Sequence, residues 1–187
     1  MINERNGKFI QVYSGNLFWP LDPREEDIRI EDISHALSNQ CRFSGHTEKH
    51  YSVAQHCVYV SLFVELEFAL AGLLHDASEA YLVDVPRPIK PELPQYSEIE
   101  ANIMKIIAKR FGFQYPLPQN VIDIDNAMLW IEKQQVMKPD IDWWQDKTVE
   151  IPKEIRNLKI QTILPEDADR MFQQQFHNSF LMRHLPI

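Results

Sequence analysis

The sequence predicts a mostly α fold, one domain over residues 1–187 with a small β-hairpin at its start. Apolar residues recur at helical spacing in segment after segment, whereas period-two alternation is limited to the first twenty residues and to EIRNLKIQTIL. With 44% hydrophobic residues, 5 Gly and no biased tract, the composition is globular and contains no linker that would split the chain.

Lys8 to Tyr13 alternate, Ser14-Gly15-Asn16 supplies a turn, and Leu17-Phe18-Trp19 resumes before Pro20 ends the run, which is the pattern of a hairpin. From Ile30 the period becomes helical, with Ile33, Ala36 and Leu37 on one face and an end near Arg42. Ser52 followed by Gln55 is a capping-box pattern that opens the next helix, VAQHCVYVSLFVEL. Another helix is expected from Phe68 to about Ala80. Pro86, Pro88, Pro91 and Pro94 then impose a stiff extended loop. A second capping box, Ser97 with Glu100, is expected to open a helix that Gly112 closes, and Pro118 opens one reaching about Met137. Lys138 to Leu164 reads as irregular or partly extended, and a last helix runs from Pro165 to Arg183.

A net charge of −8 argues against a partner whose affinity comes from neutralising a phosphate backbone, so nucleic acid is excluded as a bulk ligand. A small phosphorylated ligand remains compatible, because a metal ion and a few local cations dominate at short range. Cys41 and Cys57 make no disulfide framework in a chain of this length, and a reducing compartment is expected. The most apolar stretch, Val58 to Leu74, is interrupted by Glu65 and Glu67, so a soluble cytoplasmic protein with no membrane span is expected.

Chemistry concentrates in LAGLLHDASEA, where His75 and Asp76 follow an apolar run and Glu79 falls on the same expected helical face. Ionisable side chains at the end of a buried helix must be paired or coordinated. His56, inside VAQHCVYV, and Asp125, inside VIDIDNAMLW, have the same character. Two imidazoles and two carboxylates suit a divalent metal ion with coordination left for water, as in a catalytic site; Zn, Co, Mn and Fe would each fit that donor set.

The order His56, His75-Asp76, Asp125 resembles that of the HD-domain metal-dependent phosphohydrolases. DISHALSNQCRFSGH, YSVAQH, LLHDASEAY, DVPRPIK and the spaced Asp125, Met128, Leu129, Glu132 are similar in order and spacing to its phage and prophage branch. That branch includes dATP triphosphohydrolases and is related to bacterial 5′-deoxynucleotidases, and the N-terminal FWPLDPREEDI is also similar to it. The resemblance covers roughly Phe9 to Gln134 and is weak beyond. It implies an HD-domain helical bundle, a divalent metal cofactor (Zn, Co, Mn or Mg), and a cytoplasmic location in a bacterial host. It also implies a small deoxynucleotide as substrate and a homo-oligomer, dimer or hexamer, with the Trp143-Trp144 region and the final helix as surfaces.

By the same resemblance Glu79 orients the attacking water or takes its proton, and Asp84 is a proton donor or sugar ligand. Arg42, His46 and Lys90 hold phosphate, with Lys49 a weaker candidate. Phe43 packs on the deoxyribose and disfavours a 2′-hydroxyl, and Trp19, Leu21 and Pro88 shape an adenine slot. The expected reaction is conversion of dATP to deoxyadenosine and triphosphate. The alternatives are a 5′-deoxynucleotidase acting on monophosphates and a non-catalytic nucleotide-binding regulator.

Overall fold

The structure, a computed structural model, describes residues 5–139 and 150–182. Trp143 and Trp144, read above as interface residues, lie outside the described residues. The protein is mostly helical, with one small antiparallel hairpin.

Strands β1 (Ile10–Gln11) and β2 (Leu17–Phe18) pair antiparallel, Ile10 opposite Phe18. Gly15 has φ +82°, a conformation a turn can take cheaply only with glycine. Ser14 fastens this turn to the first helix, donating from its N–H and its hydroxyl to the buried Asp32 carboxylate at 2.6 and 3.0 Å. Phe18 is fully buried and stacks on Tyr81 at 3.9 Å.

Helix α1 (Ile30–Asn39) stops short of the expected end because Gln40 turns extended and Cys41 forms a single antiparallel bridge with Ser52. Helix α2 (Val53–Phe63) is capped as expected, the Ser52 hydroxyl accepting from Gln55 N–H at 3.1 Å. The return half of the capping box is replaced, since the Gln55 amide reaches the Gln161 carbonyl instead. Helix α2 is buried around nearly its whole circumference, which places it at the centre of the bundle.

The helix expected over Phe68 to Ala80 is two short helices, α3 (Ala69–Leu73) and α4 (Glu79–Leu82), joined by a tight turn that carries His75 and Asp76. The cause is local. The Gly72 carbonyl, which a continuing helix would offer to the Asp76 N–H, accepts from the His75 ring at 2.8 Å. Glu79 therefore reaches the site from the first turn of α4, not from a helical face shared with His75 and Asp76.

Helix α5 (Pro94–Phe111) begins a turn before the expected box: Pro94, which has no N–H to leave unpaired, opens it, and Ser97 lies inside. Gly112 closes it in the left-handed conformation, as expected. Pro118 precedes α6 (Gln119–Val136). The described part of the stretch read as irregular holds one short helix, α7 (Lys153–Arg156), and α8 (Pro165–Met182) follows. Helices α1, α3, α6 and α8 all pack against α2. Among the described residues no helix is long and apolar enough to cross a membrane.

Gly72 lets α3 approach α2 closely: a Cβ there would lie 3.2 Å from the Ser61 Cα and 3.1 Å from a Val64 methyl. The clash is partly with backbone, so it has little room to relax. Gly72→Ala is expected to lower stability by about 1–3 kcal/mol in thermal or urea unfolding, as overpacking does. An unchanged midpoint would show that α2 and α3 are looser than described.

Candidate metal centre

Helix α2 contributes His56, the α3–α4 turn His75 and Asp76, and α6 Asp125. His56 Nε2 lies 3.1 Å from Asp125 Oδ1, 3.2 Å from His75 Nε2 and 3.7 Å from Asp76 Oδ2. His75 Nε2 lies 3.1 Å from Asp76 Oδ2 and 3.8 Å from Asp125 Oδ1. An ion about 2.1 Å from each ligand needs ligand separations of about 3.0 Å for octahedral neighbours and about 3.4 Å for tetrahedral ones. Three of the five separations fall in that range and two, 3.7 and 3.8 Å, lie beyond it; His56, His75 and Asp125 form a group that could hold a metal ion, with Asp76 beside His75.

Outer partners fix the orientation. The Gly72 carbonyl can only accept, so His75 Nδ1 carries hydrogen and its Nε2 faces the other donors. His56 Nδ1 is 2.5 Å from Glu132 Oε1, which turns the second Nε2 inward too. Glu132 sits seven residues after Asp125, on nearly the same face of α6, and is fully buried. It also accepts from Tyr51 Oη at 2.7 Å and pairs with Arg42, whose Nε lies 3.1 Å from Oε2 without hydrogen-bond alignment. On its other side Arg42 Nη1 is 3.7 Å from Asp76.

The charges follow from this packing. Burial alone would raise the Asp76 and Asp125 pKa values, but the imidazoles outweigh it and hold both carboxylates below their usual range. Glu132 is likewise lowered, burial being outweighed by Arg42 and His56. Burial disfavours the His75 cation, yet the Asp76 carboxylate overcomes this and raises its pKa well above that of a free histidine. Without metal, His75 holds its proton to a higher pH than a free histidine does. Metal binding must displace that proton, so affinity should rise as pH increases through neutrality and fall on acidification from a higher pH than an ordinary histidine would dictate. Calorimetric titration with Mn²⁺ at pH 7 in buffers of different ionisation enthalpy should show proton release, and a buffer-independent heat would contradict this.

Glu79 is buried, and its Oε2 has no hydrogen-bond partner. Burial first, then Asp76 and Asp84, push its carboxyl well above the usual range. Half-buried Asp84 is also raised, chiefly by burial. Its backbone is positioned by Val83, which has φ 76° and ψ 147°, a region nearly reserved for glycine. Two bonds hold Val83 there, its N–H to the Glu79 carbonyl at 2.8 Å and its own carbonyl from Tyr96 Oη at 2.6 Å. Phe43 and Ser44, at φ 54° and 52°, form a second strained segment directly after Arg42.

The other sequence candidates are placed as follows. Arg42 is buried and directed into the Glu132–Asp76 pair. Phe43 is half-buried under its guanidinium, and His46 is exposed. Lys90 pairs with Glu100, its Nζ 2.7 Å from Oε2. Trp19 is buried, edge-to-face with Phe9 and covered by the Arg5 guanidinium at 4.5 Å, while Leu21 and Pro88 are exposed. Among the described residues no hydrogen bond or ion pair joins Trp19, Leu21, His46 or Pro88 to the four metal-site groups. Sequence reasoning gave no role to Glu132, Tyr51 or Arg87. The two-turn spacing from Asp125 was the signal available for Glu132. Cys41 and Cys57 are free thiols, and Cys57, with His75 and Asp76, forms a second group of potential ligands.

No family model matches the sequence. The chain is 36% identical over 170 residues to the uncharacterized protein YfdR of Escherichia coli K12, covering 91% of this chain and 94% of that one. It is 38% identical over 122 residues to the uncharacterized protein RCAP_rcc00048 of Rhodobacter capsulatus, covering 58% and 60%.

Proposed function

We propose that this chain, which belongs to the same family as the Escherichia coli protein YfdR, is a divalent-metal-dependent phosphohydrolase of deoxynucleotides, converting dATP to deoxyadenosine and triphosphate. The observation that carries the reading is the convergence of His56, His75, Asp76 and Asp125 beside a buried Glu79 without a hydrogen-bond partner for Oε2. A divalent ion held there, Mn²⁺, Co²⁺, Zn²⁺ or Mg²⁺, would lower the pKa of water and polarise a phosphoryl oxygen. Glu79, its basicity raised by burial, takes a proton from the attacking water. Water attacks the α-phosphorus, the bond to the sugar 5′-oxygen breaks, and Asp84, the proton donor by the HD-domain resemblance, returns a proton to that oxygen. The HD-domain resemblance supplies the deoxynucleotide specificity, with Phe43 against the deoxyribose and Trp19, Leu21 and Pro88 around the base. Self-association as a dimer or hexamer belongs to the same reading and rests on the HD-domain resemblance.

A second reading, a 5′-deoxynucleotidase, is favoured by the pairing of the expected phosphate cations. Arg42 is engaged by Glu132 and Asp76, and Lys90 by Glu100, which suits a single phosphate better than three. Chromatography of reactions with dNMPs, dNTPs and ATP decides between them. Deoxyadenosine with triphosphate, and slower turnover of ATP, is the expected result. Phosphate released only from monophosphates would support the second reading. Binding without turnover under all four metals would indicate a regulatory protein.

A further inference from the structure

Each of the four metal-site groups has an outer partner, and three of these are buried or backbone: Glu132 for His56, the Gly72 carbonyl for His75, and Arg42 for Asp76. The fourth is different. Asp125 turns Oδ1 toward the imidazoles and Oδ2 outward, and Oδ2 accepts from Arg87 Nη2 at 3.1 Å. The other arm of the same guanidinium, Nη1, donates to Asn126 Oδ1 at 3.0 Å. Arg87 lies between Pro86 and Pro88 on the loop that also carries Asp84 and Lys90, and its side chain is 60% exposed.

An isolated exposed ion pair contributes little, because solvent screens it and two long side chains must be ordered. Arg87 differs on two counts. Its backbone lies between two prolines, which reduces the backbone freedom to be lost. Its planar fork also spans two successive residues of α6, an arrangement a point charge cannot reproduce.

We propose that Arg87 is a positioning residue that couples the proline loop to the metal centre through Asp125. Resting on the metal-centre reading, this adds a reciprocal link. By holding Oδ2, Arg87 fixes the rotamer that presents Oδ1, so it strengthens metal binding. By fixing Asp125, bound metal strengthens the grip of α6 on Arg87 and stiffens residues 83–93. Linkage requires both effects to have the same size.

The test uses the full chain with Mn²⁺ as probe, measuring affinity by calorimetry and amide exchange of residues 83–93 with and without the ion. Because Arg87 is exposed, Arg87→Ala should fold normally. Removal of an outer partner typically weakens metal binding 10–100-fold, and a loss of about tenfold is expected here. Mn²⁺ should slow exchange of the loop in the wild type and leave it unchanged in Arg87→Ala. Arg87→Lys, which keeps the charge but not the fork, should restore less than half of the loop protection. Wild-type affinity together with wild-type loop protection in Arg87→Ala would overturn the coupling while leaving the metal centre intact. Full restoration of both by Arg87→Lys would overturn the two-point clasp. Absence of Mn²⁺ binding to the wild type would remove the metal-centre reading and the coupling with it, and is distinguishable from either of the preceding results.

Discussion

Glu79→Gln should lower kcat by about 10²–10⁴-fold while leaving metal content and substrate KM within a few-fold of wild type. Glutamine has nearly the shape of glutamate, so packing at this buried position is preserved while the base is lost. The carboxyl is suited to its work by its surroundings. Burial and the neighbouring Asp76 and Asp84 disfavour the ionised form, which makes it a stronger base than a glutamate in water. The expected signature is a change in kcat alone, because a group that acts on water contributes little to holding either ion or nucleotide. Steady-state kinetics with dATP, beside elemental analysis of both proteins, reads this out. A change below about fivefold would return Glu79 to a structural role in the first turn of α4.

The largest loss of stability is expected at a residue that touches no substrate. Glu132 is fully buried and is the common partner of Tyr51, His56 and Arg42. Glu132→Ala leaves the buried Arg42 guanidinium without its strongest partner, the remaining ion pair being Asp76 at 3.7 Å, and removing one member of a buried charge pair typically costs about 3–5 kcal/mol. Glu132→Gln keeps an acceptor for Tyr51 and should lose less. Since Glu132 also orients His56, the glutamine variant, if folded, should bind metal about 10–100-fold more weakly. Urea unfolding of the metal-free proteins separates the two effects. Wild-type stability in Glu132→Ala would mean that the Arg42 charge is not buried as described.

Much of this was legible in the sequence where the determinant is local. Gly15 in the hairpin, Ser52 before α2, Gly112 after α5 and Pro118 before α6 each act on the backbone at or beside their own position, and each marks the expected place. That His56, His75, Asp76 and Asp125 come together was legible because ionisable residues in apolar segments have few tolerable fates. What was not legible lies partly in local bonds that periodicity does not register and partly in tertiary contacts. The break after Leu73 follows from a side-chain bond of His75 to Gly72, which periodicity does not register. Ser97 satisfies a capping pattern, yet Pro94 starts the helix a turn earlier. Arg42 was read as a phosphate ligand from the family resemblance, and its direction is set by Glu132, ninety positions away. Arg87 was unremarkable in a proline loop until α6 brought Asp125 and Asn126 to it.

The most direct test of a metal-dependent site is the metal content of the purified chain beside Asp76→Asn, after loading with Mn²⁺ and removal of free ion. Asparagine preserves the size of Asp76 and removes the charge that His75 and Arg42 face. The wild type should retain about one ion per chain and hydrolyse deoxynucleotide, while Asp76→Asn should lose both with an unchanged far-UV helical signal. Equal metal content in the two proteins, or no retained ion in the wild type, would contradict a catalytic metal held by His56, His75, Asp76 and Asp125.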